Sequence, residues 1–289
     1  MEGVLGMNTS NNLILNSVFT QNTFRELLET QVEDSYSATL KRYLNDPQTK
    51  TNQELISAIY SVLNNQYRNE YFYKNTILNK LLLGRHSIKT TTALTEIPIA
   101  KSKADFILIN GKAVVYEIKT ELDNFERLDS QLIDYYKAFS RVCVVTSESN
   151  YEYILGRLRD TPVGICLLTD RNTLSTKKEP LEDSSKLDAH IMFKILRKSE
   201  YETIIKKIYG NLPKVTQFSY YKVCQKLFCD LKVEDAYKYL LRALKERNSI
   251  DIEEFLYVPY ELKFLIYFSR FRKKDYIKLN KFLKSKFGG

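Results

Sequence analysis

The stretch that decides the fold reads Ala104-Asp105-Phe106-Ile107-Leu108-Ile109-Asn110-Gly111-Lys112-Ala113-Val114-Val115-Tyr116-Glu117-Ile118-Lys119-Thr120. Two apolar runs flank Asn110-Gly111, and such a pair between strand-like runs is the strongest short hairpin signal. Antiparallel strands are therefore expected over 104–109 and 113–120. In the second run a two-residue period puts Val115, Glu117 and Lys119 on one face and Val114, Tyr116 and Ile118 on the other. A carboxylate and an ammonium thus share a face in the middle of an apolar strand. Burying unpaired charge costs several kcal/mol, so a metal, a phosphate or an ion pair has to compensate them.

The hairpin makes the start of its first strand face the end of its second, which brings Asp105 and Glu117 within reach of one ion. Two carboxylates, completed by phosphate oxygens and water, suit Mg²⁺, which prefers hard oxygen ligands and seldom builds an all-protein cage. Lys119 would then offset charge at phosphorus or orient an attacking water. A bland reading stands beside this one. Glu117 and Lys119 can form an ordinary ion pair on a half-exposed sheet, and Asp105 can be a strand-initiating residue that accepts a turn hydrogen bond.

Outward from the hairpin, 94–100 reads as a further strand. Residues 127–139 follow as a helix with the stripe Leu128, Leu132, Tyr135 and Phe139. Next come a buried strand over 142–146, a helix over 151–158 and a strand over 163–169. A helical crossover after a hairpin implies a mixed sheet. Upstream, 1–22 is rich in Asn, Ser and Thr and reads as a weakly ordered leader, while 23–44 and 52–83 show helical spacing. Downstream, 172–190 is polar and reads as a linker or long loop. From 191 onward every periodic segment is helical: 192–209, 216–231, 233–247 and an interrupted stretch over 260–287. The expected division is a leader (1–22), helices plus sheet core (23–171), a linker (172–190) and a basic helical domain (191–289).

Composition narrows the function classes. The formal net charge is +9, and from Ile191 onward basic residues outnumber acidic ones about two to one. Such a balance fits nucleic acid, an anionic surface or simple solubility. No stretch approaches the roughly 18 apolar residues of a membrane-spanning helix, and the N-terminus lacks a secretory pattern, so no membrane association and a cytoplasmic location are expected. Cys143, Cys166, Cys224 and Cys229 match no zinc spacing, with only His86 and His190 to help, and read as reduced, buried small hydrophobes.

Asp105 followed by Glu117-Ile118-Lys119 at the end of the next strand resembles the signature of the PD-(D/E)XK nucleases, and the order of elements resembles their fold. Ala104 stands where that family often has proline. Gln131 and Tyr135 resemble a Gln-x-x-x-Tyr element seen in RecB-like branches, where it brackets the catalytic lysine. Glu96 resembles a third acidic position near the metal, and Glu70 a first-helix glutamate of the outer shell. The run 70–170 also resembles a small uncharacterised bacterial family with an sce-prefixed placeholder name, which shares Glu-Ile-Lys-Thr-Glu-Leu-Asp followed by Arg-Leu and Gln.

These resemblances imply an α/β fold with a restriction-endonuclease-like mixed sheet core flanked by helices, plus an all-helical C-terminal domain. They imply a Mg²⁺-dependent nuclease, with Mn²⁺ able to substitute, in which Asp105, Glu117, Lys119 and Gln131 act in catalysis and Glu96, Asp105 and Glu117 hold the metal. DNA is the expected nucleic acid. The alternative is a nuclease-fold binding or scaffold subunit without turnover, and the basic helical C-terminal region is expected to bind nucleic acid, a protein partner or a second copy.

Overall fold

A computed structural model describes residues 9–31, 33–248 and 250–288. The chain divides into two compact units. One is Leu82–Asn248; the other is built from the segments that flank it in sequence.

The flanking unit is helical. Its first part holds α1 (Thr9–Val18), α2 (Gln21–Thr30), α3 (Asp34–Tyr43), α4 (Asn52–Gln66) and α5 (Glu70–Ile77). Thr51 and Glu54 close a capping box on α4, each satisfying a backbone N–H that the first turn would otherwise leave open. Of the expected leader, 1–8 lies outside the described residues. The remainder is not weakly ordered: α1 buries Leu15 and Val18, which pack because they recur at helical spacing. A π-helical segment, Leu78–Arg85, carries the chain into the second unit.

That unit is a mixed α/β structure around one six-stranded sheet. Its strands are β1 (Thr92–Ile99), β2 (Ser102–Asn110), β3 (Lys112–Lys119), β4 (Val142–Ser147), β5 (Gly164–Leu168) and β6 (Leu174–Lys178), lying side by side in sequence order. β1, β2 and β3 are antiparallel, β3, β4 and β5 parallel, and β6 antiparallel on β5. The parallel steps need helical crossovers, α6 (Leu128–Tyr136) and α7 (Tyr151–Leu158). The hairpin is tighter than a two-residue loop: Asn110 pairs with Lys112, and Gly111 alone turns the chain at φ +70°, a conformation that suits glycine. Gly164 is required for a different reason. A Cβ there would come within 2.7 Å of the Pro180 ring.

After β6 come α8 (Ala189–Ile195), α9 (Lys198–Tyr209), α10 (Gln217–Cys229) and α11 (Val233–Lys245). The flanking unit resumes with α12 (Ile252–Leu256), α13 (Lys263–Phe268) and α14 (Lys273–Lys284), so the C-terminal region is helical throughout.

Contacts draw the division elsewhere than the polar stretch 172–190. That stretch holds β6, and α8 to α11 belong with the sheet: Phe193, Phe228, Leu240 and Leu244 share one core with Ile107, Val115, Val144 and Leu132. Thr92 at the start of β1 donates to the Lys245 carbonyl at 2.7 Å. The local polarity of 172–190 reflects a half-exposed edge strand rather than a linker. Among the described residues no helix is long and apolar enough to cross a membrane. Cys143, Cys166 and Cys224 are buried free thiols and Cys229 is half-buried.

Candidate active site

One face of the sheet explains both the core and the charges. Ile107 and Ile109 on β2, Ala113 and Val115 on β3, and Val142 and Val144 on β4 supply the core beneath the helices. Continuing the two-residue period along that face replaces hydrophobes with Asp105, Glu117, Lys119 and Thr146. The pairs Thr95↔Phe106 and Ile97↔Ala104 set Glu96 across from Asp105, and Phe106↔Tyr116 sets Asp105 level with Glu117. Three acidic residues therefore stand in one row across three adjacent strands. The row lies near the carboxyl end of parallel strand β3, where α/β sheets commonly place ligands.

Within the row the side chains do different things. A carboxylate oxygen of Glu96 and one of Asp105 lie within 4.8 Å of each other. Asp105 also accepts from the Ile118 N–H at 2.8 Å, which ties it to β3 beyond the last paired residue. Its backbone carbonyl accepts from Thr95 Oγ1 at 2.7 Å. Glu96 adopts φ +56°. A non-glycine residue there costs on the order of 1–3 kcal/mol and persists only where its surroundings over-determine it. The strained residue is the one whose carboxylate meets that of Asp105. Lys103, on β2, pairs with Glu96 at 3.1 Å.

Glu117 is engaged by protein groups instead. It is buried, with one oxygen 2.9 Å from Lys119 Nζ and the other 2.6 Å from the Tyr135 hydroxyl. Lys119 Nζ donates to Gln131 Oε1 at 3.0 Å. Burial and the adjacent Glu117 carboxylate push the Tyr135 phenol well above its ordinary range, so the hydroxyl keeps its proton. That hydroxyl also lies 2.9 Å from the Lys103 carbonyl and so sits between two acceptors. Gln131 and Tyr135, four residues apart on α6, face β3 together.

Two residues to which the sequence reading assigns no role hold this helix and strand in place. Asp134 reaches the β1–β2 turn, accepting from Ser102 Oγ at 2.8 Å and the Lys101 N–H at 3.1 Å. Burial opposes its charge, but these bonds and Lys137 hold its carboxyl below the usual carboxylate range. Asp123 folds back on Thr120, accepting from its N–H at 2.8 Å and its hydroxyl at 2.7 Å, and so fixes the chain just past Lys119. An Asp four residues after a strand lysine, and an Asp one residue before the site tyrosine, give no local pattern that announces either role.

Thr146 pairs in register with Lys119 and is buried, and its hydroxyl has no hydrogen-bond partner. Glu70 opens α5 in the other unit and pairs with Lys74.

Asp105, Glu117, Lys119, Gln131, Tyr135 and Glu96 all fall inside the stretch 63–259, which matches the family model described as Bacteriophage P4 protein cII. The chain belongs to that family. The family's description names no reaction, so the chemistry has to be argued from the site. A solved structure, the SPO1766 protein of unknown function from Silicibacter pomeroyi, is similar over 45% of this chain and 88% of its own, at 12% identity and a TM-score of 0.28. No curated protein matches.

Proposed function

We propose that the Leu82–Asn248 unit is a restriction-endonuclease-like nuclease core that hydrolyses phosphodiester bonds in nucleic acid, DNA being the expected substrate, with a divalent cation, Mg²⁺ or in its place Mn²⁺. The observation that carries this reading is the row Glu96, Asp105 and Glu117 with Lys119 two residues further along the same face.

The donor set fits a hard cation. At Mg²⁺–oxygen distances of about 2.1 Å, two ligands of one ion stand up to roughly 4.2 Å apart, so a carboxylate pair within 4.8 Å needs little movement to share one. Glu96 and Asp105 would hold the ion, and Glu117 could join them by releasing Tyr135. Bound there, the cation would neutralise phosphate charge and make a water more acidic. Lys119 supplies a positive group fixed by Gln131 and Glu117 on the face where a scissile phosphate would lie, where it offsets charge developing at phosphorus. Asp105, anchored to the Ile118 N–H, keeps its carboxylate oriented without ordering cost at binding. Tyr135 donates to Glu117 and pins it against α6.

One observation favours the alternative of a nuclease-fold binding subunit without turnover. Both Glu117 oxygens are engaged by protein groups, an arrangement stable without any ligand. The deciding experiment is cleavage of labelled linear and circular DNA, single- and double-stranded, and of RNA, with Mg²⁺, Mn²⁺ or EDTA, by wild type, Asp105→Ala and Lys119→Ala. Metal-dependent cutting lost in both folded variants supports the nuclease. Pure wild type that binds nucleic acid yet cuts none of the panel supports the binding subunit.

A further inference from the structure

Part of the basic character of the C-terminal third gathers in one crevice of the sheet-bearing unit. Between α9 and α11 runs a crevice made of two abutting cavities of about 390 and 410 Å³, which share Tyr239 and Arg242. Asp235, Tyr239, Arg242 and Glu246 recur at intervals of four, three and four residues, so they line one face of α11 and its C-terminal extension. At 1.5 Å per residue that face is about 17 Å long.

Five cations and three carboxylates line the crevice. Two of the carboxylates are spoken for. Glu200 receives Arg247 in a two-pronged contact, Nε to Oε1 at 2.7 Å and Nη2 to Oε2 at 2.6 Å. Asp235 pairs with Lys238 at 3.0 Å. Lys207 and Arg242 are exposed, and the Lys207 ammonium stands 6.0 Å from the centroid of the Tyr239 ring. An aromatic ring between flexible cations is the arrangement that holds a nucleic-acid strand through its phosphates and one stacked base.

We infer that the α9–α11 crevice binds the sugar-phosphate backbone of a single nucleic-acid strand, with Lys207 and Arg242 on phosphates and Tyr239 under a base. The inference rests on the nucleic-acid reading given above but does not need turnover. At about 3.4 Å of rise per nucleotide, the crevice accommodates roughly five nucleotides. α11 ends at Lys245, whose carbonyl holds Thr92, four residues before Glu96 on β1. At about 3.3 Å per strand residue, Thr92 and Glu96 are about 13 Å apart, so the C-terminal end of α11 is tied to the strand that carries Glu96.

The test is fluorescence anisotropy of a labelled 20-nucleotide single strand and its duplex against the full chain in EDTA, where cutting is suppressed, over a series of KCl concentrations. Lys207→Ala/Arg242→Ala is expected to weaken single-strand binding about tenfold or more and to lower the salt slope by about 1.4, since each lost phosphate contact on a single strand removes about 0.7. Arg242→Lys in the otherwise wild-type chain keeps the slope. Tyr239→Leu weakens single-strand binding, leaves the slope unchanged and spares the duplex. The control pair Lys222→Ala/Lys226→Ala, exposed on α10 outside the crevice, leaves binding within twofold. An equal loss in the control pair, an unchanged slope in the crevice pair, or no binding by wild type overturns the inference. Cleavage, assayed separately with metal, decides the nuclease reading: crevice-dependent binding without cutting breaks that reading alone, and cutting with crevice-independent binding breaks the crevice alone.

Discussion

Glu96 and Glu117 stand in one row of one sheet, two strands apart, and the chain treats them in opposite ways. Glu117 is almost completely buried, 1% exposed, and its charge is met by Lys119, Tyr135 and, through Lys119, Gln131. Glu96 is exposed on an edge strand, held in a left-handed backbone conformation, and set beside the like charge of Asp105. The first arrangement satisfies itself; the second brings two carboxylates together, with Lys103 paired to Glu96 at 3.1 Å. The left-handed backbone at Glu96 adds a local cost on the order of 1–3 kcal/mol that the Glu117 side of the row does not carry. The difference separates a closed, buried ion-paired half of the row from an exposed, acidic half.

Breaking the closed half has the largest expected effect. Lys119→Ala leaves Glu117 buried without its cation and should lower stability by about 3–5 kcal/mol, read as a drop in the urea midpoint. Tyr135→Phe keeps the ring in the core but removes one bond to the carboxylate, which should cost about 1.5–3 kcal/mol in the same measurement. Thr146→Val works in the opposite direction. It replaces a buried, unpartnered hydroxyl with a methyl of similar shape and should raise stability by about 1 kcal/mol. Glu96→Gln at the open half should stay within about 0.5 kcal/mol of wild type, because its pair with Lys103 is exposed and screened. The same change should remove most of any thermal stabilisation that millimolar Mg²⁺ or Mn²⁺ confers on wild type. Stability lost at Glu96 as heavily as at Lys119 would dissolve the contrast.

Much of this contrast was legible in the sequence because it depends on periods. Alternation along 113–120 put Glu117 and Lys119 on one face, the Asn-Gly turn brought Asp105 level with them, and a spacing of four put Gln131 and Tyr135 on one side of α6. The turn residue and helix spacing are local, so they survive the absence of any long-range information. The positive φ of Glu96 was not legible, since nothing in Thr95-Glu96-Ile97-Pro98 requires it. Nor was the tie between Asp134 and the β1–β2 turn, which joins residues more than thirty positions apart. The boundary at 172–190 misled for the same reason. Polarity there marks an edge strand and its connection, while the affiliation of α8 to α11 is decided by Phe193, Phe228 and Leu240 reaching a sheet formed well before them in the chain.

The proposed role of the Asp105 carboxylate in phosphodiester hydrolysis is tested by the Mg²⁺-dependent cleavage rate of Asp105→Asn against wild type on the best substrate of the panel. Asparagine keeps an oxygen that can accept from the Ile118 N–H, so the melting temperature should hold within a few degrees while the rate falls at least about a hundredfold. A folded Asp105→Asn variant that cuts at the wild-type rate would contradict that role.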